Sequence, residues 1–379
     1  VDINPMAYWI VKQEIEHLNL ADYQRAAHGL RADLERHLGR YYRTRCGLCG
    51  SPDAHVKYFL WVKQTTCKLC GREIDLFPGY LVAGNARHPK NVFVCPACGE
   101  LTETDDRDNP GSCAHCGQPL AIDGPAKRGR CACLACGAVN TFPVTRSGPP
   151  RHRLFAIEYH CPVCKGQHTG RFFKKPDDED LARLAEVEAE WASANPRFVP
   201  EDLIPSGDET DRLHRWGYRR YREMFNTRQL LGLEQSARLI NQVGHERVRN
   251  ALATNLSDLL RYQNMLCRYD TMALKSLDIF SVHGYPVGLI QCESNLLGIM
   301  DPNRATSIGS GGWANIVDKF AKAKAYCDQP FEVRHYGQKK EIVPIEGEWI
   351  GDEPNVTHPG DRRQVQIACA DAATLDLPE

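Results

Sequence analysis

The spacing of apolar positions changes several times along this chain. Asn4 is a good N-cap, and Pro5 suits the first helical position because its missing N–H would be unbonded there anyway. A helix is expected from Pro5 to about Leu18. A second is expected from about Ala21 to Tyr42, where Tyr23, Ala27, Leu30, Leu34, Leu38 and Tyr41 recur at three-to-four spacing. Between 45 and 165 the pattern breaks into short strand-like runs, Val56 to Val62, Val92 to Val94 and Leu154 to Tyr159, punctuated by Gly and Pro. Helical spacing returns from Asp177 to Ala194, with Leu181, Leu184, Val187 and Trp191 as the stripe. Asp177, Asp178, Glu179 and Asp180 crowd its first turn, where the helix dipole favours acids.

Residues 195–210 are rich in Pro, Ser and acids and read as a linker. Asn226-x-x-Gln229 is a capping box opening a helix to Val243. Another helix spans about His245 to Gln263, with Val248, Leu252, Leu256 and Leu259 on one face. Residues 264–312 show no clear period. Within them Ser307 to Gly312 lacks the Lys-Ser/Thr of a phosphate loop and reads as a flexible connector. A helix at about Trp313 to Tyr326, an irregular stretch with some β character, and a short buried strand at 364–370 running into Asp371 complete the pattern.

Cysteine changes the picture of the middle third. Six Cys-x-x-Cys knuckles fall there: Cys46/Cys49, Cys67/Cys70, Cys95/Cys98, Cys113/Cys116, Cys133/Cys136 and Cys161/Cys164. Taken in order they pair into three four-cysteine sets with 17, 14 and 24 residues between partner knuckles. That is zinc-ribbon spacing, in which two knuckles on two hairpins close one tetrahedral site. About three Zn²⁺ ions are therefore expected. Four thiolates leave no open position for water, so the metal reads as structural, with a nucleic-acid-reading surface as the alternative use. Cys131 is surplus and reads as a free thiol, with substitution in the third site left open. Cys267, Cys292, Cys327 and Cys369 are isolated and read as buried hydrophobes. His115 and His160 lie beside or within knuckles whose cysteines already fill the sets.

Composition bounds the class. The chain has 379 residues, 42% hydrophobic, enough for two to four domains. No apolar run approaches the ~20 residues of a membrane helix, and no signal peptide opens the chain. Seventeen cysteines at metal spacing fit a reducing cytosol, so a cytoplasmic location without membrane association is expected. The formal charge of −1 counts cysteines as neutral. Three filled tetrathiolate sites would move it to about −7, since the ligands deprotonate on binding. Any nucleic-acid-binding surface must then be local. The segment 212–228 offers one: Arg212, Arg215, Arg219, Arg220, Arg222 and Arg228 against Asp211 and Glu223, interleaved with Trp216, Tyr218, Tyr221 and Phe225. Arginines contact phosphates and aromatics stack on unpaired bases. A solvated helix with a packed aromatic face would read the same way.

Two acids are placed like cofactor ligands. Asp2, in Val-Asp-Ile-Asn-Pro, stands between an expected strand and a helix, where doubly wound folds grip the two hydroxyls of a ribose. Asp371 repeats the placement and could accept from an adenine amino group. Ordinary turn or N-cap aspartates remain the alternative for both. The chain opens at Val1 in mid-motif and reads as an internal fragment of a longer protein.

Together, Val-Asp-Ile-Asn-Pro-Met-Ala-Tyr-Trp-Ile-Val-Lys, the Cys-x-x-Cys array, Arg-Trp-Gly-Tyr-Arg-Arg-Tyr-Arg-Glu-Met-Phe-Asn-Thr-Arg-Gln-Leu-Leu and Asn-Met-Leu-Cys-Arg-Tyr at 264–269 occur in that order. The combination resembles the large adenine-specific DNA methylases that carry an inserted zinc ribbon, relatives of which belong to phage-defence clusters. The resemblance implies an α/β, Rossmann-like class I methyltransferase fold in pieces at both ends, interrupted by the zinc-ribbon array and a helical region. The pieces would be 1–44 and 301–379, with ribbons at 45–165, a charged helix and linker at 166–210, and a DNA-contacting helical region at 211–300. It implies S-adenosylmethionine as cofactor, with Asp2 and Asn4 at the ribose and Asp371, after the fourth strand, near the adenine. It implies DNA as partner through Arg215, Trp216, Arg219, Arg220 and Arg222, with other phage-defence proteins as further partners. The family's glycine-rich cofactor loop and Asp-Pro-Pro-Tyr motif are absent from these residues, so no catalytic residue is assigned and the chain alone is expected to be inactive. A non-enzymatic zinc-ribbon protein that binds nucleic acid or acts as a scaffold is the rival reading.

Overall fold

The computed structural model describes residues 2–144, 148–301, 306–345, 352, 365, 367–371, 373 and 374, and the backbone of 372. The chain forms two compact units. One comprises residues 1–32, 237–257 and 316–379; the other comprises 33–236 and 258–315.

In the first unit the opening helix runs Pro5–Ile15, with the Asn4 side chain accepting from the Met6 N–H and Pro at the first turn. It stops short of the expected Leu18. The buried ammonium of Lys324 takes the carbonyls of Gln13, Glu14 and Glu16 at 3.2, 2.9 and 2.6 Å, and Glu16 turns to extended backbone. Carbonyls at a helix C-terminus lack partners along their own helix, and a cation that collects several of them ends the helix there. The next helix, Leu20–Leu38, carries the expected stripe, whose members Tyr23, Ala27, Leu30, Leu34 and Leu38 are all buried. Tyr23 packs on Phe320 at 5.3 Å between ring centres. Trp9 donates to Thr254 at 3.1 Å. The irregular stretch after the helix Trp313–Asp328 is a hairpin, Phe331–Tyr336 with Lys339–Pro344.

The strand expected at 364–370 lies partly outside the described residues. Of the rest, Cys369 forms a parallel bridge with Asp2: the Asp2 N–H donates to Ala368 O at 3.2 Å and Ala370 N–H to Asp2 O at 3.1 Å. Every other pairing among the described residues is antiparallel. Cys369 is exposed, not a core residue as its isolation in the sequence suggested, and Cys327 is half-buried.

The second unit is built on one 13-residue strand, Ala54–Thr66, buried along nearly its whole length. His152–His160 pairs along one edge, from His160 opposite His55 to His152 opposite Lys63. Three short segments share the other edge: Arg43–Thr44, Ile290–Ser294 and Glu73–Asp75. Tyr58, Leu60 and Val62 on one face pack into a core with Tyr80, Val82, Phe93 and Phe155. Alternate positions point the other way. There Phe59 lies 3.5 Å from the guanidinium of Arg228, a cation–π contact.

Charges inside this sheet come in satisfied groups. Arg228 pairs with Glu293 through two bonds of 2.6 and 2.8 Å, and Glu293 also accepts from Trp61 and Asn226. Glu158 accepts from Lys57 and Tyr269, both at 2.6 Å. Buried charge is tolerated when paired and hydrogen-bonded in this way. Arg228, although part of the basic segment in sequence, is therefore a core residue. Lys63 differs. It is fully buried, its ammonium has no hydrogen-bond partner among the described residues, and the Trp216 ring lies 5.6 Å from it.

Other expectations meet the structure in detail. Asp177 caps the helix Asp178–Ser193 in a reciprocal box with Asp180. Within that helix Val187 is fully buried, while Leu181 is 46% exposed and is not part of a core stripe. The Asn226/Gln229 box closes at 3.1 and 2.9 Å. Residues 195–210 are tied down: the N–H groups of Arg197 and Phe198 donate to the Glu234 carboxylate at 2.9 and 2.8 Å, and Leu203 bridges to Arg220. Ser307 to Gly312 is not a free connector either. Ser310 N–H donates to Tyr58 OH at 3.0 Å, and a Cβ on Gly312 would lie 2.6 Å from Asn295 O. Only glycine permits so close an approach of two backbones.

Candidate functional site

The twelve knuckle cysteines assemble into three groups of four whose sulfurs all lie within 4.8 Å of one another: Cys46, Cys49, Cys161 and Cys164; Cys67, Cys70, Cys133 and Cys136; Cys95, Cys98, Cys113 and Cys116. The third group, made by the third and fourth knuckles, is the one expected. The other two correct the sequential pairing: the first knuckle joins the sixth, and the second joins the fifth. The strand Ala54–Thr66 is the reason. At ~3.3 Å per residue its ends are ~40 Å apart, so it carries Cys67 away from Cys46. The antiparallel return of His152–His160 then delivers Cys161 beside Cys46. Knuckle spacing alone contains no information about that strand.

The groups suit a tetrahedral metal. Sulfurs facing each other across knuckles stand 3.6–3.7 Å apart in all three groups. The edge of a tetrahedron with Zn–S bonds of ~2.3 Å is ~3.8 Å, and a disulfide would need ~2.05 Å. Each group can therefore hold a metal ion. Local N–H groups prepare the thiolates. Burial opposes ionisation of Cys46, yet the N–H groups of Cys49 and Leu48 outweigh it and bring the thiol down to about 6. N–H groups of Cys70 and Leu69 bring Cys67 to about 6. At Cys113 burial is again overcome, by the Cys116 N–H and the Thr102 hydroxyl, again to about 6.

Each group has its own supporting partner. Tyr159 OH lies 3.7 Å from the Cys46 sulfur and accepts from Gly47 N–H. Asn140 donates to the Cys67 sulfur at 3.6 Å. Thr102 donates to that of Cys113 at 3.6 Å. Such outer contacts fix ligand orientation. Cys131 lies outside the groups. It is buried against Cys67 and Cys133, and burial raises its thiol.

The second group carries the basic surface. Ala126–Lys127 and Arg130–Ala132 form a hairpin whose two-residue turn, Arg128-Gly129, has φ of 49° and 77°. This is the turn normally filled by Asn-Gly or Gly-Gly. Placing arginine there costs about 1 kcal/mol and sets a cation at the tip. Lys127, Arg128 and Arg130, with Lys68 and Arg72 from the facing knuckle, are all exposed, and none has a carboxylate partner among the described residues. Leu69 and Leu134 stand exposed on the two knuckles beside them.

The basic segment adjoins this hairpin. The Trp216 ring lies 6.1 Å from that of Phe142, and Phe142 N–H donates to Gly129 O at 2.9 Å, between Arg128 and Arg130. Arg215 is exposed with no ion pair among the described residues. Arg219 is also exposed and donates to His214 O at 2.9 Å. Arg220 and Arg222 both bind Glu201, so part of their charge is neutralised. Tyr218 is fully buried. The sequence reading missed the hairpin cations, although Lys-Arg-Gly-Arg at 127–130 is a legible signal once the turn is recognised.

Asp2 is itself the bridged residue, and Asp371 follows its bridge partner Cys369 by two residues. Asp2 Oδ1 accepts from Asn4 N–H at 2.7 Å, and Asp371 Oδ1 from Ala373 N–H at 2.9 Å. Each caps its own turn with one oxygen, and the second oxygen accepts no hydrogen bond among the described residues. The Asn4 side chain is engaged as the helix cap. No helix among the described residues is long and apolar enough to cross a membrane. No family model matches this chain, and no curated protein or solved structure matches it.

Proposed function

We propose that this chain is the nucleic-acid-engaging portion of an S-adenosylmethionine-dependent DNA adenine-N6 methyltransferase of a restriction or phage-defence system, with three zinc ions holding its ribbons. The observation that carries the nucleic-acid half is the set of five exposed cations without carboxylate partners around the second four-cysteine group, continuous with Arg215 and Trp216. Phosphate neutralisation by Lys and Arg drives such binding whatever the overall charge. The rigid ribbon sets their spacing, and Arg219 is exposed three residues after Trp216 in the adjoining segment. Methylating an exocyclic amine requires the base to leave the stack, which calls for backbone clamping of this kind.

The methyltransferase half is supported by the resemblance and by the parallel Asp2–Cys369 bridge, because ligands of open parallel sheets bind at the carboxyl ends of the strands. Bound S-adenosylmethionine would supply an activated methyl group. Asp2 would accept from its ribose hydroxyls and Asp371 from its adenine amino group, with Asn4 holding the turn between strand and helix.

The nucleic-acid test is a salt titration of duplex DNA binding. Replacing Lys127, Arg128 and Arg130 together by Ala is expected to lower the slope of log K against log salt by about 2–3. An unchanged slope removes the hairpin from the interface. A non-enzymatic ribbon protein is the second reading, favoured by the use of Asp2 and Asp371 as turn caps. Calorimetry with S-adenosylmethionine on the complete gene product separates the two: the parent binds it and Asp2→Ala weakens binding ~10-fold or more if the carboxylate holds the ribose, whereas under the second reading the parent does not bind it. Binding that Asp2→Ala leaves unchanged removes Asp2 from the ribose site.

A further inference from the structure

A cleft of about 420 Å³ opens between the third ribbon and the layer formed by residues 268–271 and 288–290. That volume is in the range of small-ligand sites. Its floor is aromatic: Phe77, Phe93, Phe155 and Tyr269 line it, with Phe77 and Phe155 edge to face at 5.0 Å. Its charged lining is two arginines, Arg107 and Arg268, and no carboxylate. Among the described residues Arg268 Nε is buried without a hydrogen-bond partner, its Nη2 reaches only Ser281 Oγ at 3.5 Å, and Arg107 reaches only the Met272 sulfur at 3.9 Å. Two guanidiniums without carboxylates beside buried aromatic rings are complementary to an anion carried on a flat ring. Arg228 and Glu158 in this unit are buried against opposite charge, whereas the exposed Arg107 and half-buried Arg268 have no ion pair among the described residues.

We propose that this cleft binds a nucleotide, with the base over the aromatic floor and the phosphate between Arg107 and Arg268. The chemistry is the same for a free nucleotide and for an unpaired nucleotide within a strand. The site is separate from the cations of the Lys127–Arg130 hairpin, and nucleotide binding here does not rest on the methyltransferase reading.

The test uses the full chain loaded with metal. Calorimetry compares dAMP with deoxyadenosine, and fluorescence follows a single-stranded oligonucleotide carrying one 2-aminopurine. The expected result is dAMP bound at least tenfold more tightly than deoxyadenosine, or quenching of the 2-aminopurine by the protein, or both. Quenching without dAMP binding assigns the site to strands; dAMP binding without quenching assigns it to free nucleotides. The signal that appears should weaken at least tenfold in R107A/R268A. It should vanish in Thr271→Trp, which fills the cleft and leaves every charge in place. Metal content and the hairpin-dependent salt slope should persist in both variants, so failure here is distinguishable from failure of the hairpin interface. Equal binding of dAMP and deoxyadenosine with no quenching, no binding of either probe, or unchanged binding in both variants overturns the proposal.

Discussion

Single residues show how this protein handles charge in its interior. Arg228 and Glu293 sit in one desolvated pair, with Trp61 and Asn226 completing the donors to the carboxylate. Removing either partner strands the other. Arg228→Ala and Glu293→Ala are each expected to lose about 3–5 kcal/mol of stability, read from denaturant midpoints. Losses under ~1 kcal/mol in both would mean that the pair contributes little. Lys63 is the opposite case, since burial pushes its ammonium down to about 7. In the unfolded chain a lysine titrates near ~10.4. Between these values the unfolded state holds the extra proton, so the penalty for Lys63 is full below pH 7 and fades as pH rises. Lys63→Met should therefore be more stable than the parent at pH 7, and the gap should narrow by up to about 1.4 kcal/mol per pH unit above it. A gap that stays constant from pH 7 to 9 would show that Lys63 keeps an ordinary pKa.

Elements differ in how legible they are in the sequence. Helices declare themselves through spacing and caps: the stripe from Tyr23 to Leu38 is buried as expected, and the Asn4, Asp177 and Asn226 caps all form. Ile290–Ser294 does not declare itself, because Gln291, Glu293 and Ser294 are polar yet fully buried in the central sheet. A period of two in hydrophobicity cannot mark a strand whose polar side chains have partners inside. The cysteines are legible as ligands, but their pairing depends on strand register, a long-range property. Of the candidate DNA contacts, the aromatic ring of Trp216 is half-buried against Phe142.

The same difference in range separates the ribbons energetically. The third group links cysteines 15 positions apart, whereas the first links Cys49 to Cys161, 112 positions apart. Loop-closure entropy makes the longer link restrain the unfolded chain by about 2 kcal/mol more. Cys98→Ser should release one metal and loosen the local hairpin, leaving the central sheet folded. Cys49→Ser should release one metal and lower the unfolding midpoint of the whole second unit. Metal analysis beside hydrogen exchange of residues 54–66 distinguishes them, and identical exchange in both variants would contradict the nested arrangement.

At the scale of the molecule, the three four-cysteine groups can take over some of the work of a hydrophobic core by holding metal. The short strands of the ribbons, such as Ala126–Lys127 and Val139–Thr141, are too brief to hold by pairing alone. About three equivalents of zinc per chain are expected on metal analysis, and a strong chelator should abolish the native signal of the second unit because metal-binding energy is folding energy here. One equivalent or none, or full retention of structure after chelation, would defeat the three-site arrangement.

The nested order of the knuckles also sets a schedule for synthesis. At ~5–20 residues per second the six knuckles leave the ribosome over roughly 6–24 s. The first two emerge together, at a spacing suited to closing a site with each other, and their true partners come last. Until His152–His160 arrives to straighten the central strand, nothing forbids that wrong closure. Metal supplied in that interval would favour a misthreaded ribbon, and reaching the nested pairing would then require exchange of ions between knuckles.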